Sequence, residues 1–228
     1  MITGPNVAAV AKLISEPSRA VILTALLDGR FHPASSLAYV AGIKPQTASF
    51  HLKKMIDANV VRVEKHGRHR YYGLQNHEIA EVLESLLSLA PKVEVKSFKQ
   101  DSNDKAIRYA RTCYDHLAGQ LGVKITDSLL DNDFLKPVDN TFKLTPEGEK
   151  FFRDFEIDLG QVRKKRRAYI HKCLDWSERR HHLAGAVGNA LLDRLIDLKW
   201  IERVPTIRAV KITPTGKSSL KEVFDIEI

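Results

Sequence analysis

A heptapeptide written twice constrains this chain more than any other feature. Residues 116–122 read HLAGQLG, and residues 182–188, 66 positions on, read HLAGAVG. The correspondence continues through Leu129 and Leu195, Asp131 and Asp197, Phe134 and Trp200, and Leu135 and Ile201. It ends with Leu144-Thr145-Pro146 and Gly148 against Ile212-Thr213-Pro214 and Gly216, now 68 positions apart. A match of this length in one order reads as a duplication, in which one packing solution is used twice. Each copy is expected to run helix, helix, an aromatic-aliphatic strand start, a short loop, and a β-branched strand ending in Thr-Pro-x-Gly. His-Leu-Ala-Gly is read as a helix-packing and capping motif, with Gly119 and Gly185 permitting a tight exit from the helix. A duplicated fold repeats residues without having to repeat chemistry.

The repeat fills only the second half, so the 228 residues divide. Residues 91–105, PKVEVKSFKQDSNDK, are poor in apolar side chains and rich in Pro, Ser, Asn, Asp and Lys, which marks a linker. The organisation expected is a first domain over 1–90, the linker, and a second domain over 106–228 with repeats at 106–158 and 168–226. A hydrophobic content of 43% is enough to build real cores. Two cysteines exclude a disulfide scaffold. The chain opens on no secretory pattern and holds no run of ~20 apolar residues. A cytoplasmic protein with no membrane partner is therefore expected. The net charge of +8 favours an anionic partner, nucleic acid first.

The first domain localises that charge. Residues 7–14 suit an opening helix, and Pro17 stops it. Ser15 or Ser18 can cap a second helix over 18–28, which Gly29 ends. Ser35-Ser36 starts a third, ended by Gly42. A fourth begins at Pro45 and runs to residue 58, with Ala48, Leu52, Met55 and Ile56 on one buried face. Its other face shows Gln46, Thr47, Ser49, Phe50, Lys53 and Lys54. Two short helices joined by a tight turn, the second polar and basic, form a helix-turn-helix, whose N-terminal residues face base edges in the major groove. Phe50 suits either a thymine methyl or a protein contact. Two β-rich runs then flank His66-Gly67, a hairpin with Lys65, His66, Arg68 and Arg70 near its tip. Between Lys44 and Arg70 stand seven Lys/Arg against Asp57 and Glu64, a local charge of +5. A basic hairpin after a helix-turn-helix is a winged helix, with Arg68 or Arg70 reaching phosphates or the minor groove. Residues 77–89 form a helix so apolar, at Ile79, Val82, Leu83, Leu86 and Leu87, that it needs a partner: a second subunit or the second domain.

These residues carry a resemblance. The segments EPSRAVILTALLDG, SSLAYVAGI, QTASFHLKKMIDANVV and GRHRYYGL, within residues 16–83, resemble the ArsR/SmtB winged-helix repressors, most closely the members that sense cadmium and lead. Ser49-x-His51-Leu52 and the wing sequence are the most specific part, and the resemblance covers about a third of the chain. It implies a homodimeric repressor on a palindromic DNA operator, released by an inducer, with the first and last helices of the domain forming the dimer. Gln46, Thr47, Ser49, Phe50 and Lys53 would approach bases, and His51, Lys54, Arg68 and Arg70 would hold phosphates. The sequence departs from the metal-sensing members where they place cysteines in and after the recognition helix. Here those positions are Lys54 and Ala58, and residues 1–112 contain no cysteine. His77 and Glu78 are not followed by a second ligand pair, and His77 reads as a capping or surface residue.

Both cysteines fall in the second domain. Cys113 lies three residues before His116, on one face of the helix expected there. Cys173 is followed by Asp175, His181 and His182. Thiolate and imidazole suit a soft divalent effector such as Zn, Cd or Pb. One site can combine Cys113, His116, Cys173 and His182 if the repeats face each other. The thiols can instead form a redox-sensing disulfide, or be inert core residues. At the repeat offset Cys113 matches Arg179, so the cysteines are not expected to be equivalent, whereas His116 and His182 are. The basic run 163–167 reads as a solvated helix face or as a second DNA-backbone contact.

No enzyme is expected. Residues 215–218 end like a phosphate-binding loop, but Lys211 stands where its first glycine is required, and no hydrolase or zinc-protease motif is present. The fold class expected is mainly α with small β-hairpins (α+β): an N-terminal winged helix-turn-helix and a C-terminal domain of two winged-helix-like repeats. The function expected is a DNA-binding transcriptional regulator, a dimeric repressor whose inducer (metal ion, oxidant or small molecule) is sensed in the C-terminal domain. The other reading is a metal- or small-molecule-binding module whose winged helices bind protein.

Overall fold

The computed structural model describes residues 4–91, 94, 97–205 and 207–227. The chain forms two compact units, Met1–Leu86 and Leu87–Ile228. Both mix helices with small antiparallel strands, as the sequence predicts. Among the described residues no helix is long and apolar enough to cross a membrane.

In the first unit, α1 (Val7–Ile14) is capped by Asn6, whose Oδ1 accepts from the Ala9 amide at 3.1 Å. Pro17 opens α2 (Pro17–Leu26) at the first helical position, where its missing N–H costs nothing. The cap is Glu16, whose carboxylate accepts from the Ser18 and Arg19 amides, so neither Ser15 nor Ser18 takes that role. After β1 (His32–Pro33) come α3 (Ala34–Val40) and α4 (Pro45–Asp57). Ala48, Leu52 and Met55 of α4 are buried, as are Ile22 and Leu26 of α2 and Leu37 of α3. The hairpin β2 (Val61–His66) and β3 (His69–Leu74) pairs His66 with His69, so Gly67-Arg68 form its turn. β1 adds to the free side of β3, giving the order β1-β3-β2. A two-residue strand is too short to show a period in sequence. α5 (His77–Leu89) follows.

The second unit opens with α6 (Phe98–Tyr109), capped by Ser97. This helix occupies most of the stretch expected to be a linker, so residues 98–105 are helical instead. Two halves of identical element order follow. The first is β4 (Arg111–Cys113), β5 (His116–Ala118), α7 (Gly119–Asp131), β6 (Leu135–Val138), β7 (Thr141–Leu144) and α8 (Pro146–Asp154). After α9 (Leu159–Arg163) the second is β8 (His171–Leu174), β9 (His181–Ala184), α10 (Gly185–Asp197), β10 (Ile201–Arg203), β11 (Val210–Ile212) and α11 (Pro214–Phe224). Thr145 and Thr213 cap their helices alike, each accepting from the glycine amide three residues on at 2.9 Å.

The His-Leu-Ala segments are strands, not helices. Gly119 and Gly185 therefore stand at the entrance to a helix rather than its exit. Their φ values are +77° and +81°, and an added Cβ would lie 2.6 Å from the Arg108 carbonyl or 2.8 Å from the Ala168 carbonyl. Only glycine makes the turn from hairpin into helix at that approach. α7 and α10 fill one core with Leu121, Ile125, Leu129, Val187, Leu191 and Leu195, joined by Phe152, Trp200 and Phe224.

Candidate nucleic-acid interface and a buried cysteine–histidine centre

The candidate nucleic-acid interface lies on α4 and the β2–β3 wing. Burying Ala48, Leu52 and Met55 turns the remaining sides of α4 outward. Gln46, Thr47, Ser49, Phe50, Lys53 and Lys54 are all exposed, as are Arg68 and Arg70 on the wing. Ser49 donates to the Pro45 carbonyl at 2.9 Å, which leaves its oxygen able to accept. The Lys54 ammonium lies 4.4 Å above the Phe50 ring. This cation–π contact covers one face of an otherwise costly exposed phenyl group.

His51 differs from expectation. It is buried, with Nδ1 3.4 Å from Arg19 Nη1 and Nε2 3.5 Å from Glu16 Oε2. One residue before Leu52 on the helix, it borders the core face and ties α4 to the start of α2. Its geometry is that of an internal support, not of a phosphate contact.

The second unit brings together the four residues singled out as metal ligands, though by a different local structure. Cys113 and His116 are not on a helix. They are directly opposed across the β4–β5 hairpin, and Cys173 and His182 are opposed in the same way across β8–β9. The cysteines thus occupy equivalent hairpin positions, contrary to the constant-offset reading. Two residues separate Cys113 from His116 and eight separate Cys173 from His182, and the longer loop hides the equivalence. Directly opposed side chains share one face of a hairpin, so each hairpin presents a thiol beside an imidazole. The strand alternation sends His181 outward and His182 inward.

The two hairpins face each other. Cys113 Sγ lies 3.7 Å from Cys173 Sγ, and His116 Nε2 lies 3.1 Å from His182 Nε2. The sulfur separation is well beyond the ~2.05 Å of a disulfide. One ligand atom from each of the four residues lies within 4.8 Å of every other. Cys113, His116 and His182 are buried and Cys173 is partly exposed. The approach is tight because glycines sit opposite the imidazoles. A Cβ on Gly188 would lie 3.4 Å from His116 Cβ, and one on Gly122 would lie 3.8 Å from His182 Cβ. The same relation therefore holds in both directions between the halves.

Carboxylates back both imidazoles. His116 Nδ1 is 3.4 Å from Asp115 Oδ1, and His182 Nδ1 is 3.4 Å from Asp175 Oδ2, the latter without hydrogen-bond geometry. Arg167 pairs with Asp115. Arg111 donates to Asp175 Oδ2 at 2.9 Å, and the Gly119 amide donates to the same oxygen at 2.7 Å. Asp175 Oδ1 accepts from the Ser177 amide and hydroxyl and from the Glu178 amide. Burial alone would raise both carboxyls, but His116 and Arg167 bring Asp115 well below the usual range, and His182, Arg111 and Ser177 do the same for Asp175. Burial would lower His116, yet the Cys113 sulfur and Asp115 push it up to about 10. Asp115, immediately before His116, and Asp175, two residues after Cys173, were the only signals in sequence for these partners. Nothing there pointed to Arg111, at the start of the Cys113 strand, or to Arg167, in the loop before β8.

The basic run is mostly engaged within the unit. Arg163 donates to Glu149 at 2.5 Å, Lys165 donates to Asn189 at 2.7 Å, and Arg167 holds Asp115. The run leaves α9 after its first residue and is not a helix face.

Residues 14–64 match the family model of a helix-turn-helix domain, a span that includes α4 and most of β2. Among solved structures, the cadmium metal-sensor CMTR from Mycobacterium tuberculosis is 29% identical, over 40% of this chain and 93% of its own, with a TM-score of 0.33. The homodimeric winged helix-turn-helix DNA-binding domain Mb0332 from Mycobacterium bovis is 23% identical, over 39% and 88%, with a TM-score of 0.33. The HTH-type transcriptional regulator YdfF of Bacillus subtilis is 52% identical over 224 residues, covering 98% of this chain and 99% of its own. A relation that spans both units at that identity, joined to an exposed recognition helix and wing, assigns this chain to the HTH-type transcriptional regulators.

Proposed function

We propose that the protein is a dimeric repressor that occupies a palindromic operator through α4 and the wing. It leaves the operator when an inducer acts on the second unit. The observation that carries this reading is the exposed row on α4, Gln46, Thr47, Ser49, Phe50 and Lys53, continued by Arg68 and Arg70 on the wing. Such a row presents hydrogen-bonding groups to base edges and cations to phosphates. Dimerisation draws support from Val7 and Val10 of α1 and Val82 and Leu89 of α5, all more than half exposed. Apolar residues in such positions suit the face of a second copy. The inducer class, whether metal ion, oxidant or small molecule, is assigned to the second unit because its two halves close around thiols and imidazoles. The matching element order of those halves supports a duplication of one winged-helix-like unit into an effector domain.

The test is a DNA mobility shift on the region upstream of the chain's own coding sequence, at low salt. A retarded complex with dimer stoichiometry is expected, dissociated by one member of a panel of Zn, Cd, Pb, an oxidant and small metabolites. No binding at low salt would sink the operator reading. Binding that no effector reverses would sink the induction.

A further inference from the structure

We propose that the second unit holds one borderline-soft divalent cation of the zinc or cadmium kind, ligated by Cys113 Sγ, His116 Nε2, Cys173 Sγ and His182 Nε2. The site is closed, and each half of the unit contributes one thiolate and one imidazole.

The distances between donor atoms carry the proposal. In a tetrahedral site the donor–donor edge is about 1.63 times the bond length. Zinc bonds of ~2.3 Å to sulfur and ~2.05 Å to nitrogen therefore give edges of ~3.8 Å for S–S and ~3.3 Å for N–N. The observed separations are 3.7 Å and 3.1 Å, and one ligand atom from each of the four residues lies within 4.8 Å of every other. An S–H···S contact and an N–H···N contact could each account for one distance. A single ion accounts for both at once, as opposite edges of one tetrahedral shell.

The orientation of the imidazoles adds a second, independent observation. Both rings turn Nδ1 toward a carboxylate, at Asp115 and Asp175. The Nε2 atoms of the two rings point at each other, 3.1 Å apart, on the side away from the carboxylates and next to the paired sulfurs. Carboxylate-backed imidazoles are the usual outer partners of a bound metal, fixing the ring and raising its basicity.

Charge and donor type then narrow the ion. Two thiolates balance one divalent cation, while Asp115 and Asp175 are already balanced by Arg167 and Arg111. Sulfur and nitrogen donors with no oxygen in the set select against magnesium and calcium. Four protein ligands complete the shell and leave no position for substrate, the pattern of a structural or sensing centre rather than a catalytic one. Because the donors are shared between the halves, the bound ion clamps β4–β5 to β8–β9. That this ion is the inducer rests on the repressor reading above; the site itself does not.

The experiment uses the full chain, reduced and stripped of metal. Zinc is titrated against a chromophoric chelator, and cobalt(II) serves as a spectroscopic stand-in. One equivalent per chain is expected, with the intense visible bands of tetrahedral cobalt and a near-ultraviolet thiolate charge-transfer band. Cys173→Ser, at the partly exposed ligand and so the mildest change to the fold, is expected to weaken zinc binding more than about 100-fold. Asp115→Asn is expected to weaken it by about 10–100-fold. Absence of stoichiometric uptake, the pale spectrum of octahedral cobalt, or wild-type affinity in both Cys113→Ser and Cys173→Ser would overturn the site. Operator binding is measured on the same samples. Zinc uptake that leaves operator affinity unchanged overturns the ion as inducer and keeps the site. Release by an oxidant, in a chain that takes up no metal, overturns the site and keeps the regulator.

Discussion

Arg111 and Asp175 meet at 2.9 Å with both side chains fully buried, across the boundary between the two halves of the second unit. The guanidinium also stacks 4.3 Å from the Trp176 ring. A buried pair is tolerable only when both charges remain satisfied, and removing one partner strands the other. Arg111→Met is therefore expected to destabilise the second unit by about 3–5 kcal/mol. Arg111→Met with Asp175→Leu should cost less than the sum of the two single changes. Urea unfolding of the four proteins in a double-mutant cycle measures this, and strict additivity would show that the two charges do not depend on each other.

Gly188 of α10 packs directly against its own hairpin. An added Cβ would lie 2.5 Å from the Leu183 carbonyl oxygen and 3.4 Å from His116 Cβ. Backbone cannot yield there as a flexible side chain would. Gly188→Ala is expected to lower stability by roughly 1–3 kcal/mol, read as a fall in Tm. Gly160→Ala, which meets only the Asp158 side chain at 3.1 Å, serves as the control with little change.

On the DNA side, two kinds of contact should separate experimentally. Arg68→Ala is expected to weaken binding to every sequence alike and to reduce the salt slope by about one. Gln46→Ala should cost roughly 1–3 kcal/mol at one base position while leaving that slope unchanged. His51→Ala should act through stability instead, because His51 lies between Arg19 and Glu16. A salt slope lowered by His51→Ala would restore it as a phosphate contact.

Asp28 makes the first unit sensitive to acid. Burial alone would raise its carboxyl, but His32 and Arg30 bring it below the usual value. A carboxyl lowered in the folded state adds stability that is fully present above the unfolded value of ~3.9 and is lost as pH falls through the folded value. Asp28→Asn is expected to be less stable than the parent at neutral pH, with the gap closing as pH drops below about 4. Thermal melts across the acid range follow it, and a constant gap would rule out this ionisation.

Val82 is 55% exposed on α5. If that face receives a second copy, Val82→Glu places a charge where apolar surface should close. Sedimentation velocity is expected to shift toward monomer, and affinity for a palindromic site should fall more than affinity for a half-site. An unchanged sedimentation profile would move the dimer contact elsewhere.

The first unit was largely legible from sequence. The helices at Val7–Ile14, Pro45–Asp57 and His77–Leu89 announce themselves through apolar spacing and through proline and glycine punctuation, which are local signals. His51 was misplaced because its neighbours across space, Arg19 and Glu16, lie more than 30 residues away. In the second unit, strands of three or four residues show no alternation that distinguishes them from a turn of helix. His116 and His182 were therefore read on the wrong element, although as the right pair. The cysteines do not read as repeat-equivalent because a fixed offset cannot follow a loop six residues longer in one copy. Cross-strand register, Cys113 to His116 and Cys173 to His182, is a property of the folded hairpin alone.

The loop that separates Cys173 from His182 carries Asp175, Trp176 and Ser177, which receive Arg111 from the other half. The two hairpins are thus alike in the residues they turn toward each other and unlike in how they are anchored. A protein bearing a single half would own only one thiol and one imidazole. It would have to meet a second molecule face to face to assemble four donors. Joining the halves in one polypeptide makes that encounter intramolecular, independent of protein concentration, and frees one copy to diverge at its edges while its inner face stays fixed.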